Sequence, residues 1–170
     1  MTQYREGKPG ASQESAGIAA KPAAPAARTP RWVAARSAVL LYAVVAAGSV
    51  IGGLLRALAS MALDAPGGPA LHLGTLFVNV TGSFVIGFYA SLTGPEGRVL
   101  AGPRQRQFVM TGICGGYTTF SAFSLETLRL IHAGNLPAAG LSIGVSIVTW
   151  LSAAWLGHAL AARLNRLRRT

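Results

Sequence analysis

Long apolar runs separated by short polar or turn-forming stretches set the pattern of this chain. Four runs, at about residues 37–63, 71–93, 107–133 and 136–162, are each near the ~20 residues that a helix needs to cross a hydrocarbon layer. The connectors are Asp64-Ala65-Pro66-Gly67-Gly68-Pro69, a polar stretch from Gly94 to Arg106, and Gly134-Asn135 ahead of Pro137, all dense in turn formers. Residues 1–36 have another character: Ala, Pro, Ser and basic side chains with almost no bulky apolar ones cannot bury enough surface to offset ordering, which predicts a disordered basic tail. No apolar core bounded by a cleavage site precedes Trp32, so a cleaved targeting peptide is not expected. The predicted organisation is an all-α membrane protein, with four transmembrane helices over residues 37–163 and a basic tail at 164–170.

The third run breaks its own pattern. Gly112-Ile113-Cys114-Gly115-Gly116-Tyr117-Thr118-Thr119-Phe120-Ser121-Ala122-Phe123-Ser124-Leu125-Glu126 puts a helix-weakening Gly-Gly pair and a series of hydroxyls where lipid is expected. Hydrocarbon cannot satisfy backbone groups that leave a helix, so a break here must be buried in protein or line a wet path. The segment predicts an interrupted third helix and points to transport.

Composition agrees with the pattern: 51% of the 170 residues are apolar and 12% charged, and the mean hydropathy is +0.44. The formal charge of +10 would in a soluble protein suggest nucleic acid. Here the charges lie between and outside the apolar runs, with no RNP, zinc-finger or recognition-helix pattern, so no nucleic-acid partner is expected. They also orient the chain. Arg28, Arg31 and Arg36 precede the first run, Arg98, Arg104 and Arg106 separate the second and third, and Arg163, Arg166, Arg168 and Arg169 follow the fourth. The opposite loops hold Asp64 and no Lys or Arg, which predicts both termini on the cytoplasmic side of the plasma membrane.

Several polar side chains inside the runs are candidates for chemistry. Thr75, Asn79 and Ser83 recur at intervals of four along one face of the second helix. Such a stripe serves either helix packing or a polar track, and Asn79, the costliest to bury, tips it towards function. Phe120 and Phe123 share a face of the third helix, with Ser121 and Ser124 displaced from them and Thr118 and Thr119 just before. Ring edges carry partial positive charge, and together with hydroxyl donors they suit a small anion without a fixed cation to trap it. Glu126 fits a structural acceptor for nearby hydroxyls or Arg129 as well as a polar-track role. Arg56 either snorkels to the interface or draws anions into a vestibule. Ser142, Ser146 and Thr149 are candidate pore or interface hydroxyls in the fourth helix, and Cys114 reads as a small packing residue. His72, His132 and His158 stand near run ends without partners, and no metal-spaced cluster, paired carboxylates or phosphate loop accompanies them, so an enzyme is not expected.

With these residues assembled, the chain resembles the Fluc (CrcB-type) family of fluoride channels over roughly residues 40–160. Gly52-Gly53-Leu54-Leu55-Arg56 is similar to its GGxxR motif, and Gly74-Thr75-Leu76-Phe77-Val78-Asn79 with Gly82 to its GTxxxNxxG. The segment Gly115-Gly116-Tyr117-Thr118-Thr119-Phe120-Ser121-Ala122-Phe123-Ser124-Leu125-Glu126 is similar to its GGxTTFSxFSxE, the most specific of the three. The resemblance implies passive fluoride export through an antiparallel, dual-topology dimer with two pores. By that likeness Asn79, Phe120, Phe123, Thr119, Ser121 and Ser124 line the fluoride pathway, with Thr75 and Ser146 as further candidates, and Arg56 faces a vestibule. It also implies a structural sodium ion at the dimer centre, held by main-chain carbonyls of Gly115 and Thr118, and no organic cofactor.

The one-sided loop charge departs from the near balance expected of a chain that inserts both ways. It suggests an antiparallel heterodimer with an oppositely oriented paralogue, in contact with membrane lipid. The competing functions are a small four-helix multidrug-type transporter, which would be expected to carry a carboxylate early in the first run where this chain has none, and a non-transporting membrane subunit or anchor.

Overall fold

The computed structural model describes residues 30–64, 73–95 and 97–167. Most of the predicted N-terminal tail, most of the connector after Asp64, and Arg168 and Arg169 lie outside the described residues. Helix α1 spans Arg31–Leu63, α2 Leu73–Leu92, α3 Pro103–Gln107, α4 Gly115–Tyr117, α5 Phe120–His132 and α6 Leu136–Arg166; a π-helical segment, Phe108–Cys114, joins α3 to α4. Among the described residues there is no strand.

Three helices, α1, α2 and α6, are long and apolar enough to cross a membrane. The third predicted run is in pieces: 13 residues of α5 rise only ~20 Å, so it needs the preceding segment in series to match a ~30 Å hydrocarbon layer. The boundaries differ from expectation at both ends. α1 begins at Arg31, taking in residues assigned to the tail, and α6 continues to Arg166, past the predicted end of the fourth span. Both extensions are basic, and long Arg side chains let a helix run past the apolar layer with their charges in water.

What this fold buries confirms its solvent. Among the described residues the buried apolar set is only Val78, Cys114, Phe123, Ala139, Ala153 and Ala161, and an equal number of polar residues, Thr75, Asn79, Thr93, Thr127, Ser142 and Ser146, is buried with them. Large apolar side chains such as Val50, Leu54, Leu58 and Met61 of α1 and Leu141, Leu151 and Trp155 of α6 point outward. In water that arrangement would be inverted; in lipid, packing and internal hydrogen bonds hold helices together while large apolar groups face the tails.

Small residues set the helix spacing. The most extensive packing joins α2 and α6, where a Cβ on Gly87 would collide with the Ala154 carbonyl and one on Gly157 with the Phe84 carbonyl. A second small-residue seam joins α1 to the π-helical segment and α4: Gly48 and Gly52 face Gly112 and Ile113, and Gly116 faces Ser49. A Cβ at Gly48 would lie 2.7 Å from the Phe108 carbonyl oxygen and 2.9 Å from the Gly112 Cα, and one at Gly52 would overlap the Ile113 carbonyl. Gly53, in the same motif, has open space. At the far ends, the Asp64 carboxylate accepts from the Gly74 N–H at 2.9 Å, capping α2 from the end of α1. Asn165 of α6 donates to the Ser91 carbonyl at 3.0 Å and accepts from the Arg98 N–H at 3.1 Å, tying α6 to the end of α2.

Gly52→Val should therefore destabilise the fold by about 1–3 kcal/mol through forced separation of α1 from the π-helical segment, whereas Gly53→Ala should stay within ~0.5 kcal/mol of the parent. Thermal-aggregation midpoints in detergent distinguish the two.

Candidate functional site

The site grows from the interruption between α4 and α5. The sequence places the opening at the Gly115-Gly116 pair; in the structure the helix continues through that pair and opens at Thr118. Gly115 has helical angles, φ −65° and ψ −35°, while Thr118 (φ −82°, ψ 155°) and Thr119 (φ −147°, ψ 119°) are extended. The glycines are there for another reason: Gly116 lets α4 press against the α1 backbone at Ser49. The last helical bond runs from the Thr118 N–H to the Cys114 carbonyl at 3.0 Å, and the Thr118 hydroxyl donates to the same carbonyl at 2.9 Å.

Beyond that point a side chain replaces the helix. Asn79 of α2 accepts from the Thr119 N–H at 2.7 Å through Oδ1 and donates to the Thr119 carbonyl at 2.9 Å through Nδ2, pairing both backbone groups of the extended residue. Asn79 is 5% exposed, so both bonds are shielded from competing water. With its N–H turned to Asn79, Thr119 no longer donates to the Gly115 carbonyl as helix continuation would require. The Gly116 carbonyl receives instead the Nε–H of Arg56 from α1, at 3.3 Å. On the other side of the break, Thr119 is the N-cap of α5, its hydroxyl accepting from the Ala122 N–H at 3.2 Å and lying 3.1 Å from the Ser121 hydroxyl. The break thus puts carbonyls at one helix end beside amides at the start of another, the arrangement by which interrupted membrane helices present both signs of partial charge.

The polar stripe on α2 meets this break and α5. Thr75 donates to the Glu126 carboxylate at 2.5 Å, Asn79 holds Thr119, and Ser83 lines a cavity of about 320 Å³ with Asn79, Thr118, Thr119, Phe120 and Trp150. Thr81, off that stripe, shares a hydrogen bond with the Tyr117 hydroxyl at 3.0 Å. Phe123 is buried and Phe120 is 71% exposed, their ring centroids 5.6 Å apart with a 55° tilt. Ser121 and Ser124 are exposed on α5, while Ser142 and Ser146 are buried on one face of α6. Thr149 bonds back to the Val145 and Ser146 carbonyls of its own helix. Cys114 is buried and among the cavity-lining residues, consistent with a packing role.

Three contributors escaped sequence reasoning. Trp150 stands edge-on to Phe123, with centroids 5.0 Å apart and planes at 77°; its position four residues after Ser146 was the available signal. Asp64 and Asn165 act as clasps, one on the Gly74 N–H and the other on Ser91 and Arg98, and only the folded chain brings those partners near.

Fold and site together define a multi-pass, all-α membrane protein built around an interrupted helix. Residues 43–158 match the family described as CrcB-like protein, Camphor Resistance (CrcB), and the chain belongs to that family. It is 60% identical over 140 residues to the fluoride-specific ion channel FluC 1 of Bradyrhizobium diazoefficiens, covering 82% of this chain and 94% of that protein. It is likewise 60% identical over 135 residues to FluC 1 of Rhodopseudomonas palustris (79% and 96% covered). The fluoride-specific ion channel FluC of Opitutus terrae is 48% identical over 128 residues (75% and 97% covered).

Asn79→Leu should unpair both Thr119 backbone groups inside the protein, destabilising it by roughly 2 kcal/mol or more, and Asn79→Asp, which keeps the acceptor but not the donor, should fall between. Hydrogen exchange at the Thr119 amide measures this directly: protection should be lost in the Leu variant and retained in part in the Asp variant.

Proposed function

We propose that the chain is a subunit of a fluoride-selective ion channel that lets fluoride leave the cytoplasm passively across the plasma membrane. The observation that carries this reading is the clamp of Asn79 on Thr119 beside the Phe120–Phe123 ring pair, in a chain 60% identical to proteins named as fluoride-specific channels. Passage follows from the groups present. Arg56 biases the approach towards anions while its Nε–H occupies the Gly116 carbonyl. Ring edges of Phe120 and Phe123 and the hydroxyls of Thr119, Ser121 and Ser124 replace water around the ion weakly enough to let it leave. Thr75 and Glu126, joined by a hydrogen bond, and Ser146, buried on α6, continue the polar track. The chain acts as a channel and not as an enzyme.

Four crossings, with α3 through α5 forming the third, make the subunit. Two subunits pair antiparallel, so that exposed Phe120 is covered by the partner. The Gly115 carbonyl, released from its helical donor, and the Thr118 carbonyl at the break suit an alkali cation, which binds oxygen ligands; a sodium ion there would supply fixed positive charge between the two subunits. The one-sided distribution of Arg supports a partner of opposite loop bias, with both termini of this chain cytoplasmic.

Liposomes loaded with fluoride and read by a fluoride electrode test the function: flux is expected, and chloride flux without fluoride flux would sink the reading. The same assay tests the pairing, with flux appearing only when an oppositely biased partner is co-reconstituted; robust flux from this chain alone removes the heterodimer. Phe123→Ala should lower fluoride flux at least tenfold, a loss that a mere membrane anchor would not register.

A further inference from the structure

One donor beside the cavity has no role in the site described so far. Ser142, Ser146 and Trp150 recur at intervals of four and share one face of α6. Trp150 continues the line of the two buried serines into the 320 Å³ cavity, whose lining it shares with Asn79, Thr119 and Phe120. Its ring meets Phe123 edge-on at 5.0 Å, and Phe123 in turn lies 5.6 Å from Phe120, so three aromatic rings stand in series. The Trp150 Nε1 is buried and has no hydrogen-bond partner among the described residues. An indole N–H can only donate, and burying it unpaired costs about 1–3 kcal/mol. A phenylalanine would supply the same ring contact without that penalty, so packing against Phe123 does not account for an indole here.

The surroundings say what kind of group would relieve it. Two of the donors nearby are committed to protein carbonyls, the Asn79 amide to Thr119 and the Thr118 hydroxyl to Cys114, and an indole N–H cannot pair with another donor. An acceptor is therefore needed, and a charged acceptor makes the stronger bond. Nε1 has almost no accessible surface, so an ion reaches it only without its water and with a small shift of the indole, which favours a small anion over a large one.

We propose that Trp150 is a specificity-determining residue of the anion path, donating its Nε1–H to the dehydrated anion as it passes the Phe120–Phe123 pair. This rests on the channel reading above. The indole bridges the polar track of α2 and the serine face of α6, and its bulk narrows the passage against larger halides.

The test uses the full chain in whichever subunit pairing conducts. In the ¹⁵N-tryptophan-labelled protein, the indole resonance assigned to Trp150 by its loss in Trp150→Phe should shift on titration with sodium fluoride and stay in place with sodium chloride. Trp150→Phe, which keeps a ring and removes the donor, should lower fluoride flux about tenfold, and Trp150→Ala should raise chloride flux relative to fluoride. An indole resonance indifferent to fluoride, or Trp150→Phe flux within twofold of the parent, overturns the proposal and leaves the channel reading standing. Parent protein that conducts no fluoride in any pairing overturns both.

Discussion

The pairing of the Asn79 side chain with the Thr119 backbone is the constraint on which the site depends. A helix interrupted within a membrane exposes an N–H and a C=O that hydrocarbon cannot satisfy, and each would be expensive to leave alone. Asn is one of the few side chains that present a donor and an acceptor side by side, so one residue can meet both needs. At 2.7 and 2.9 Å the two bonds hold Thr119 extended, and an extended Thr119 in turn caps α5 and directs Phe120 and Phe123 onto their shared face. The carbonyl at Gly116, whose helical donor would be the Phe120 N–H beyond the break, is met by Arg56 from the opposite side. Two helices that precede the break by 40 to 60 residues, α1 and α2, therefore stabilise it from different directions.

The small-residue seams make these reaches possible. Gly48 and Gly52 bring α1 close enough for Arg56 to touch α4, Gly87 with Gly157 draws α2 against α6, and Trp150 of α6 meets Phe123 of α5. Close packing and polar chemistry are thus one design: helices held at backbone contact leave short polar side chains at hydrogen-bonding distance, while the large apolar residues turn to lipid. The scarcity of large buried side chains among the described residues follows from this, since only Phe123 and Val78 bring real bulk to the interior.

Much of this was legible in the chain itself. The four apolar runs, the polar stripe of Thr75, Asn79 and Ser83, the aromatic pair and the interruption in the third run are all local patterns, and local patterns are set by helical period and hydropathy. The position of the break was misread because Gly-Gly is a poor helix former in isolation. In the folded protein Gly115 and Gly116 remain helical, since Gly116 is needed where α4 touches Ser49, and the chain opens two residues later, where Asn79 offers a substitute partner. Propensity yielded to a tertiary hydrogen bond. Trp150, Asp64 and Asn165 went unnoticed for a related reason: their meaning lies in partners 10 to 74 residues away in sequence or across a helix interface.

By itself the sequence determined that this is an all-α membrane protein and that the third run carries polar chemistry at odds with lipid. Those properties depend on the solvent preference of each stretch and on the period of a helix, both readable one segment at a time. Only the tertiary structure decided where the backbone opens, which side chains close its loose ends, and that Trp150 joins the aromatic pair. Such choices depend on which group of one helix lies within about 3 Å of which group of another, a quantity that spacing along a single helix does not contain.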